Sequence, residues 1–444
     1  MNGMTGGAGR HSRHLRRQIA GRLRVLLAVL VLAGCSVVER PASHRLRDEI
    51  ARIRVAGEPL TFEELRAGQS AGDGADAAAD YRAAVMLLTD LDSGPLFEVL
   101  GAYRAGTRSC PPVPPSNELR ERALGMLAQS EPALELIDRA ARKDACHYAF
   151  NLEQSELPCL SLFRRATALL SLRTLELGFA GEADGAAASL ISSLRMLRVF
   201  ETEPGLITHL VRLFEWAQPC ADLPAVLGAG ALSETSLGDL DEALKLAEAP
   251  DLLKRTIEGE RVREREMTFL ASILGPDWPD GELRSASAKR RPFWERPRLL
   301  RHACDYLAAT AEMIHAAGEP WPQVLDAMPA TFPTPKMFPP DISVPWSSPM
   351  ERVGQTLAAT RAGRVAIAVE RYRRRQGKLP ASLADLGSPL PADPFTGHDL
   401  LYQRVEDGFV VASVGPARAT DARARDEKGW WPQGVSVCLA RPAR

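Results

Sequence analysis

Apolar residues recur at helical spacing from about Tyr81 to Met328, and this periodicity constrains the fold more than any other feature of the chain. The clearest unit pairs a helix at about 159–180 with one at about 185–201, joined through "GEADG". In the second helix, apolar positions at i, i+3, i+4, i+7 and i+10 form one stripe: Ala187, Leu190, Ile191, Leu194 and Leu197. Short connections make neighbouring helices antiparallel. The sequence therefore predicts a mostly α fold, with an irregular α-hairpin layer over residues 81–330.

A third helix is predicted in "TEPGLITHLVRLFEWA", where Thr202 can act as the N-cap and Pro204 is tolerated in the first turn. Apolar residues again follow helical spacing in this stretch: Leu206, Ile207, Leu210, Val211 and Phe214. We interpret this stripe as the packed face of the helix.

The composition changes at "TFPTPKMFPPDISVPWSSP", which holds six prolines in 19 residues. Proline is incompatible with a helix interior and with a central strand. We therefore predict a Pro-rich linker at 331–349, which separates the helical domain from a C-terminal domain at 350–444.

The C-terminal domain begins with an amphipathic helix that is predicted to end near Gly377, before Pro380. Two strands follow in "HDLLYQRV" and "GFVVASV", joined through a Gly-containing turn. Together with these, the sequence carries Glu370-Arg371-Tyr372, Gly377-Lys378-Leu379-Pro380, Leu383, Leu386, Asp393-Pro394-Phe395-Thr396-Gly397, Tyr402, Gly408-Phe409 and Ser413-Val414-Gly415.

In order and spacing these residues resemble the globular head of the major pseudopilin of type II secretion. The resemblance covers about one fifth of the chain and implies a small α+β domain in which a long helix leads into a sheet. It departs from the family in two ways. No apolar filament-forming helix precedes Glu351, and the calcium loop is replaced by "PARATDARARDEKG", in which arginines lie among few oxygen ligands. We therefore predict no metal site there.

The N-terminus is basic and free of acidic residues, and it precedes a nine-residue apolar run from Val25 to Ala33. A membrane-spanning helix needs about 20 residues, whereas a basic segment before a short apolar core is typical of a secretory signal. Leu32-Ala33-Gly34-Cys35 resembles the lipobox of bacterial lipoproteins. The resemblance implies a signal peptide at 1–34 and a lipidated Cys35. Because Ser36 follows the cysteine, family analogy favours the outer membrane. Residues 35–80 are predicted to be a tether.

Lys and Arg total 55 against 56 acidic residues, so the net charge favours no nucleic-acid or other polyanionic partner. No P-loop, dinucleotide or zinc-protease motif occurs, and we predict no cofactor. Gly68-Gln69-Ser70-Ala71-Gly72 matches the hydrolase G-x-S-x-G pattern but lies in the predicted tether. Glu260 and Glu264 are one helical turn apart, as in carboxylate metal sites, yet arginines alternate with them, which favours ordinary ion pairing on a helix.

Outside the cytoplasm, the six cysteines beyond Cys35 can form disulfides. Cys146 and Cys159 bracket a short segment and are the predicted pair, although buried free cysteine is an open alternative. Trp430 and Trp431 lie next to each other in a Gly-rich turn and are a candidate partner contact. In the alternative, one of the two rings covers the edge of the small sheet.

These features predict a membrane-anchored, extracytoplasmic and non-enzymatic protein that scaffolds or binds another envelope protein. The export signal, "GEPLTFEEL", the helical middle and the C-terminal domain together resemble envelope lipoproteins of planctomycete-type bacteria, a resemblance that implies no particular activity. Two alternatives stay open. The protein is an accessory of a type II secretion or pilus-like system, or it is a hydrolase that uses the helical domain.

Overall fold

The structure, a computed structural model, describes residues 41–67, 76–107, 113–148, 157–201, 205–248, 251–263, 296–328, 347–387, 389–405, 408–416 and 436–440. The described part is mostly helical, as predicted, with one small antiparallel sheet. Its helices are α1 (residues 41–55), α2 (Phe62–Ala67), α3 (Ala78–Leu87), α4 (Ser93–Thr107), α5 (Asn117–Gln129), α6 (Glu131–Ala141), α7 (Leu157–Ala180), α8 (Ala183–Met196), α9 (Leu206–Gly228), α10 (Glu234–Lys245), α11 (Asp251–Arg263), α12 (Arg296–Ala317), α13 (Gln323–Ala327) and α14 (Ser347–Gln376).

The chain divides into two compact units. Among the described residues, the first contains 41–62, 261–263 and 296–311, and the second contains those within 63–260, 312–328 and 347–440. No described helix is long and apolar enough to cross a membrane.

The first unit contains a helix where the sequence predicted a tether. In α1, apolar residues at i, i+4, i+8 and i+11 are buried: Ala42, Leu46, Ile50 and Ile53. Cys304 in α12 donates to the Ala42 carbonyl, with a sulfur-to-oxygen distance of 3.5 Å. The buried Arg261 donates to Glu58 Oε2 at 2.6 Å and to the Pro59 carbonyl at 3.0 Å. A structureless tether therefore describes at most part of 35–80, because this segment carries its own buried apolar stripe.

In the second unit, the predicted helix pair is confirmed as α7 and α8. They are joined by a tight turn in which Gly181 has a φ of +82°, a conformation that favours glycine. Leu190 and Leu194 of the predicted stripe are buried in the main core. The helix predicted from "TEPGLITHLVRLFEWA" is also present, as α9.

The sheet has the order β1-β2-β3, with β1 (Leu401–Val405), β2 (Gly408–Ala412) and β3 (Ser436–Ala440). Both strand pairs are antiparallel, and Val405 lies opposite Gly408 as the predicted hairpin requires. The buried Asp393 carboxylate accepts hydrogen bonds from Phe395 N at 2.9 Å, Ser413 Oγ at 3.1 Å and Val414 N at 2.9 Å. The Asp-Pro-Phe-Thr-Gly turn is thereby fixed to the end of β2.

The predicted boundary at 331–349 does not separate two cores. Val365 and Val369 of α14 and Phe409 of β2 belong to the same buried cluster as α7, α8 and α9. The buried Trp216 donates from Nε1 to Thr360 Oγ1 at 3.1 Å. At Gly363, an added Cβ would lie 2.8 Å from Leu223 Cδ2, so α14 approaches α9 too closely for a larger residue. Residues 350–444 are therefore not an independent domain, because their apolar face is buried against the helical layer.

Candidate functional site

The ionisable residues of helix α9 are all buried, beside apolar residues such as Trp216 and Leu223, and the exposed side of the helix is apolar. His209, Arg212, Glu215 and Asp222 are all buried. On the outer face, Ile207 is 50% exposed and Phe214 is 54% exposed. We predicted that the whole apolar stripe of this helix is its packed face, and this prediction is wrong for Ile207 and Phe214. A surface helix of a soluble protein normally has the reverse pattern.

The inward charges are tolerated because they have partners. Arg212 Nη2 donates to Glu201 Oε1 and to the Leu246 carbonyl, both at 3.2 Å. Its guanidinium also lies 5.0 Å from the ring centroid of Trp216. Burial lowers the pKa of Arg212, and the carboxylate of Glu201 opposes this shift.

A second buried cluster joins α9 to α4 and α7. Arg104 Nε and Nη2 contact the two carboxylate oxygens of Asp222, each at 3.2 Å. Nη2 also donates to Ser171 Oγ at 3.0 Å, and Nη1 donates to Gln218 Oε1. Burial raises the pKa of Asp222, and the charge of Arg104 opposes that rise. This cluster fixes the rotation of α9 about its axis, because any other rotation would leave Asp222 without its partner.

Arg164 of α7 lies beside two exposed aromatic rings, one from α4 and one from α9. The Arg164 guanidinium lies 5.7 Å from the ring centroid of Phe97 and 5.6 Å from that of Phe214. Its Nε is 3.2 Å from Oε1 of the buried Glu215. Burial raises the pKa of Glu215, and the charge of Arg164 opposes the rise. We call Phe97, Arg164, Ile207 and Phe214 the α9 surface.

The α9 surface suits recognition of another apolar surface. Phe97 is 41% exposed, so two aromatic rings and an aliphatic side chain contact solvent on neighbouring helices. Aromatic residues and arginine are enriched at protein interfaces. Because Arg164 is already held by Glu215 and by both rings, binding would immobilise few additional side-chain torsions.

Sequence reasoning did not identify this surface, although a signal is present. In "LITHLVRLFEWA", His209, Arg212 and Glu215 recur at i, i+3 and i+6 and share one face of the helix, opposite Ile207 and Phe214. Such a polar stripe normally marks the face that contacts solvent, so the pattern indicates two faces of different polarity but not which of them is buried. In the described chain, Ile207 and Phe214 contact solvent.

His209 is expected to make stability depend on pH. Burial, together with the charge of Arg212, lowers its pKa from 6.5 to about 3. Between these values the unfolded chain binds a proton that the folded chain does not, so stability falls as pH falls, by about 1.4 kcal/mol per pH unit.

From pH 7 to pH 5 we expect the wild type to lose about 2 kcal/mol more than His209→Leu in urea unfolding. His315→Leu, at an exposed histidine, is the control. Equal losses in wild type and His209→Leu would contradict the assignment.

Several predicted site residues lie outside the described residues: Cys35, Ser70, Glu264, Trp430 and Trp431. Glu260 is described, and its Oε1 accepts from the backbone N of Leu206 at 2.6 Å, at the start of α9. Cys146 is half-buried and is not bonded to a described cysteine, and burial raises the pKa of its thiol to about 12. The side chain of Cys159 lies outside the described part, so the pairing with Cys146 stays a prediction. Within the described ranges, no three His, Cys, Asp or Glu side chains come together to hold a metal ion.

Comparison of the chain with protein-family models, with curated proteins and with solved structures found no match. The resemblance to the pseudopilin head therefore stays a prediction.

Proposed function

We propose that this protein is a lipid-anchored, extracytoplasmic and non-enzymatic module that binds another envelope protein through the α9 surface. The inverted arrangement of α9 carries the proposal. Its charged residues pair with other residues of the unit, whereas Ile207 and Phe214 on its outer face contact solvent. Burying such a face against a partner removes apolar area from water, which favours association.

The occupant that fits this surface is a protein segment with apolar or aromatic side chains. An acidic partner is not favoured, because the charge of Arg164 is already paired with Glu215. A membrane surface is a weaker fit, since helices that lie on membranes carry several cationic residues beside their apolar face. On the α9 surface the single cation, Arg164, is paired.

Photocrosslinking in intact cells tests the docking surface. A benzophenone amino acid at Phe214 is expected to give one discrete protein adduct. The same group at Met86, an exposed apolar residue of α3, is the matched control and should give none. Adding Phe97→Ala to the Phe214 probe should reduce the adduct about tenfold, because truncating a central interface aromatic typically costs 1–2 kcal/mol or more.

Three outcomes would contradict this role for the α9 surface. The adduct could contain lipid only, or a second copy of this chain only, or it could form equally at Met86.

The anchor has a separate test. Radioactive palmitate should label the wild type and not Cys35→Ser, and only the wild type should fractionate with membranes. A labelled Cys35→Ser protein would contradict lipidation at this residue.

A second candidate is an accessory of a type II secretion or pilus-like system. The observation that favours it is the 30-residue helix α14, which leads through the Asp393 turn onto an antiparallel sheet. If the protein crosslinked at Phe214 is a component of such a system, this candidate is supported. The hydrolase alternative is less favoured, because Glu260 binds the first backbone N–H of α9.

A further inference from the structure

The second unit contains a cavity of about 620 Å³ on the inner side of α9. Its walls come from α9, from residues 247–248 and 252–253, from the turn after α12, from α14 and from residues 389–392. This volume lies within the range of small-molecule sites. The cavity is separate from the α9 surface, because His209 and Arg212 border it from the opposite face of the helix.

One part of the cavity is apolar. Leu213, Val353 and Leu357 form a buried cluster, against which Leu210 and Trp321 pack. Leu213, Val353, Leu357 and Trp321 also line the cavity. A ligand that fills this end exchanges water for contact with aliphatic and aromatic side chains.

The other part is lined by guanidinium groups. Arg361 Nε donates to Glu248 Oε2 at 3.2 Å, and its Nη1 donates to the Ala392 carbonyl at 2.8 Å. Arg364 Nε donates to Asp241 Oδ1 at 2.9 Å, and its Nη1 donates to Glu248 Oε1 at 2.5 Å. In neither arginine does Nη2 donate a hydrogen bond to a described residue. Neither Nη2 atom is among the buried polar atoms that lack a hydrogen-bond partner. Each arginine therefore has donors left for a ligand.

The third arginine of the wall, Arg212, is buried and its Nε has no partner among the described residues. The wall thus holds three guanidinium groups and the carboxylates of Glu248 and Glu319. Glu248 is already bonded to two of the arginines. Arg212 Nε and the Nη2 atoms of Arg361 and Arg364 are unused donors in this wall, and carboxylate is the acceptor that guanidinium binds best.

We propose that this cavity binds an amphipathic carboxylate, with its head group at Arg361 and Arg364 and its apolar body against Trp321 and Leu357. The proposal does not depend on the protein-binding role of the α9 surface. A fatty acid and an aromatic acid with an apolar body share this chemistry.

Isothermal titration calorimetry on the full chain, with dodecanoate as the probe, tests the proposal. We expect saturable one-to-one binding of dodecanoate and at least tenfold weaker binding of dodecyltrimethylammonium, which has the same body and the opposite charge. Phenylhexanoate in place of dodecanoate distinguishes an aromatic from an alkyl body. Saturable binding of either acid supports the site.

Arg361→Met should weaken dodecanoate about tenfold, because it removes a charge-assisted hydrogen bond. Glu248 keeps Arg364 as its partner in this variant. Arg352→Met is the matched control, since Arg352 is exposed on the same helix and does not line the cavity.

Leu390→Glu, at a half-buried position of the wall, should abolish binding by repelling the carboxylate. Equal affinity for the two head groups, no saturable binding of either acid, or equal effects of the two arginine substitutions would overturn the proposal.

Discussion

Trp216→Ala is expected to lower the free energy of unfolding by about 3–5 kcal/mol, the range for large-to-small substitutions of a buried aromatic residue. The side chain is completely buried, and it connects α9 to α14 through the hydrogen bond to Thr360. It also stacks on the buried Arg212, which would lose that contact. The truncated residue would leave a cavity at the junction between the helical layer and the C-terminal segment.

Hydrogen exchange followed by mass spectrometry provides the sharper readout. Because α14 and β2 share one core with α9, we expect all three to lose protection together in Trp216→Ala. Trp216→Phe, which keeps a ring at the site, is the control and should cost less. Loss of protection confined to α9, with α14 and β2 unaffected, would show that residues 350–444 fold as an independent domain after all.

Arg104→Met is expected to destabilise the protein by about 3–5 kcal/mol at neutral pH, because it removes one partner of a buried ion pair. Asp222 is 1% exposed, and Arg104 is its ion-pair partner. Without Arg104, the pKa of Asp222 in the folded state rises further above its unfolded value. The folded state then binds the proton more tightly, so the deficit of the variant should be smaller at pH 4 than at pH 7.

The double variant Arg104→Met/Asp222→Leu is the matched control. Replacing both partners of a buried pair by apolar residues is often neutral, so most of the lost stability should return. Urea unfolding of the two variants at both pH values measures this. If the double variant is as unstable as Arg104→Met, the loss comes from packing around residue 104 and not from an unpaired carboxylate.

The local structure of this protein was largely predictable from its sequence. The α7–α8 pair, the end of α14 at Gly377 and the hairpin between β1 and β2 all follow from spacing and turn residues. These features depend on contacts between residues close in the chain, so a pattern of a few positions contains the information that they need.

The extent of each core was not predictable. Residues 331–346 of the predicted linker lie outside the described part of the chain, and residues 347–349 form the first turn of α14. The prolines of this segment were interpreted as a break between domains. The contact of Gly363 with Leu223 and the bond of Trp216 to Thr360 join residues 140 or more positions apart. Local patterns carry no information on such pairs. The helix at 41–55 was missed for a simpler reason, because its apolar stripe lies beside a small-residue segment that dominated the interpretation of 35–80.

The sequence by itself determined the α7–α8 pair, the end of α14 and the β1–β2 hairpin, since local propensity and periodicity decide these features. Only the tertiary structure decided which side of α9 faces inward. An apolar stripe normally marks the packed face, but here Arg212 and Asp222 lie on the buried side of the helix beside Trp216 and Leu223. They pair with Glu201 of the 3₁₀ turn at Leu197–Glu201 and with Arg104 of α4. Because both ion pairs join Arg212 or Asp222 to residues outside the helix, the periodicity of α9 could not indicate that these residues are buried or that Ile207 and Phe214 contact solvent.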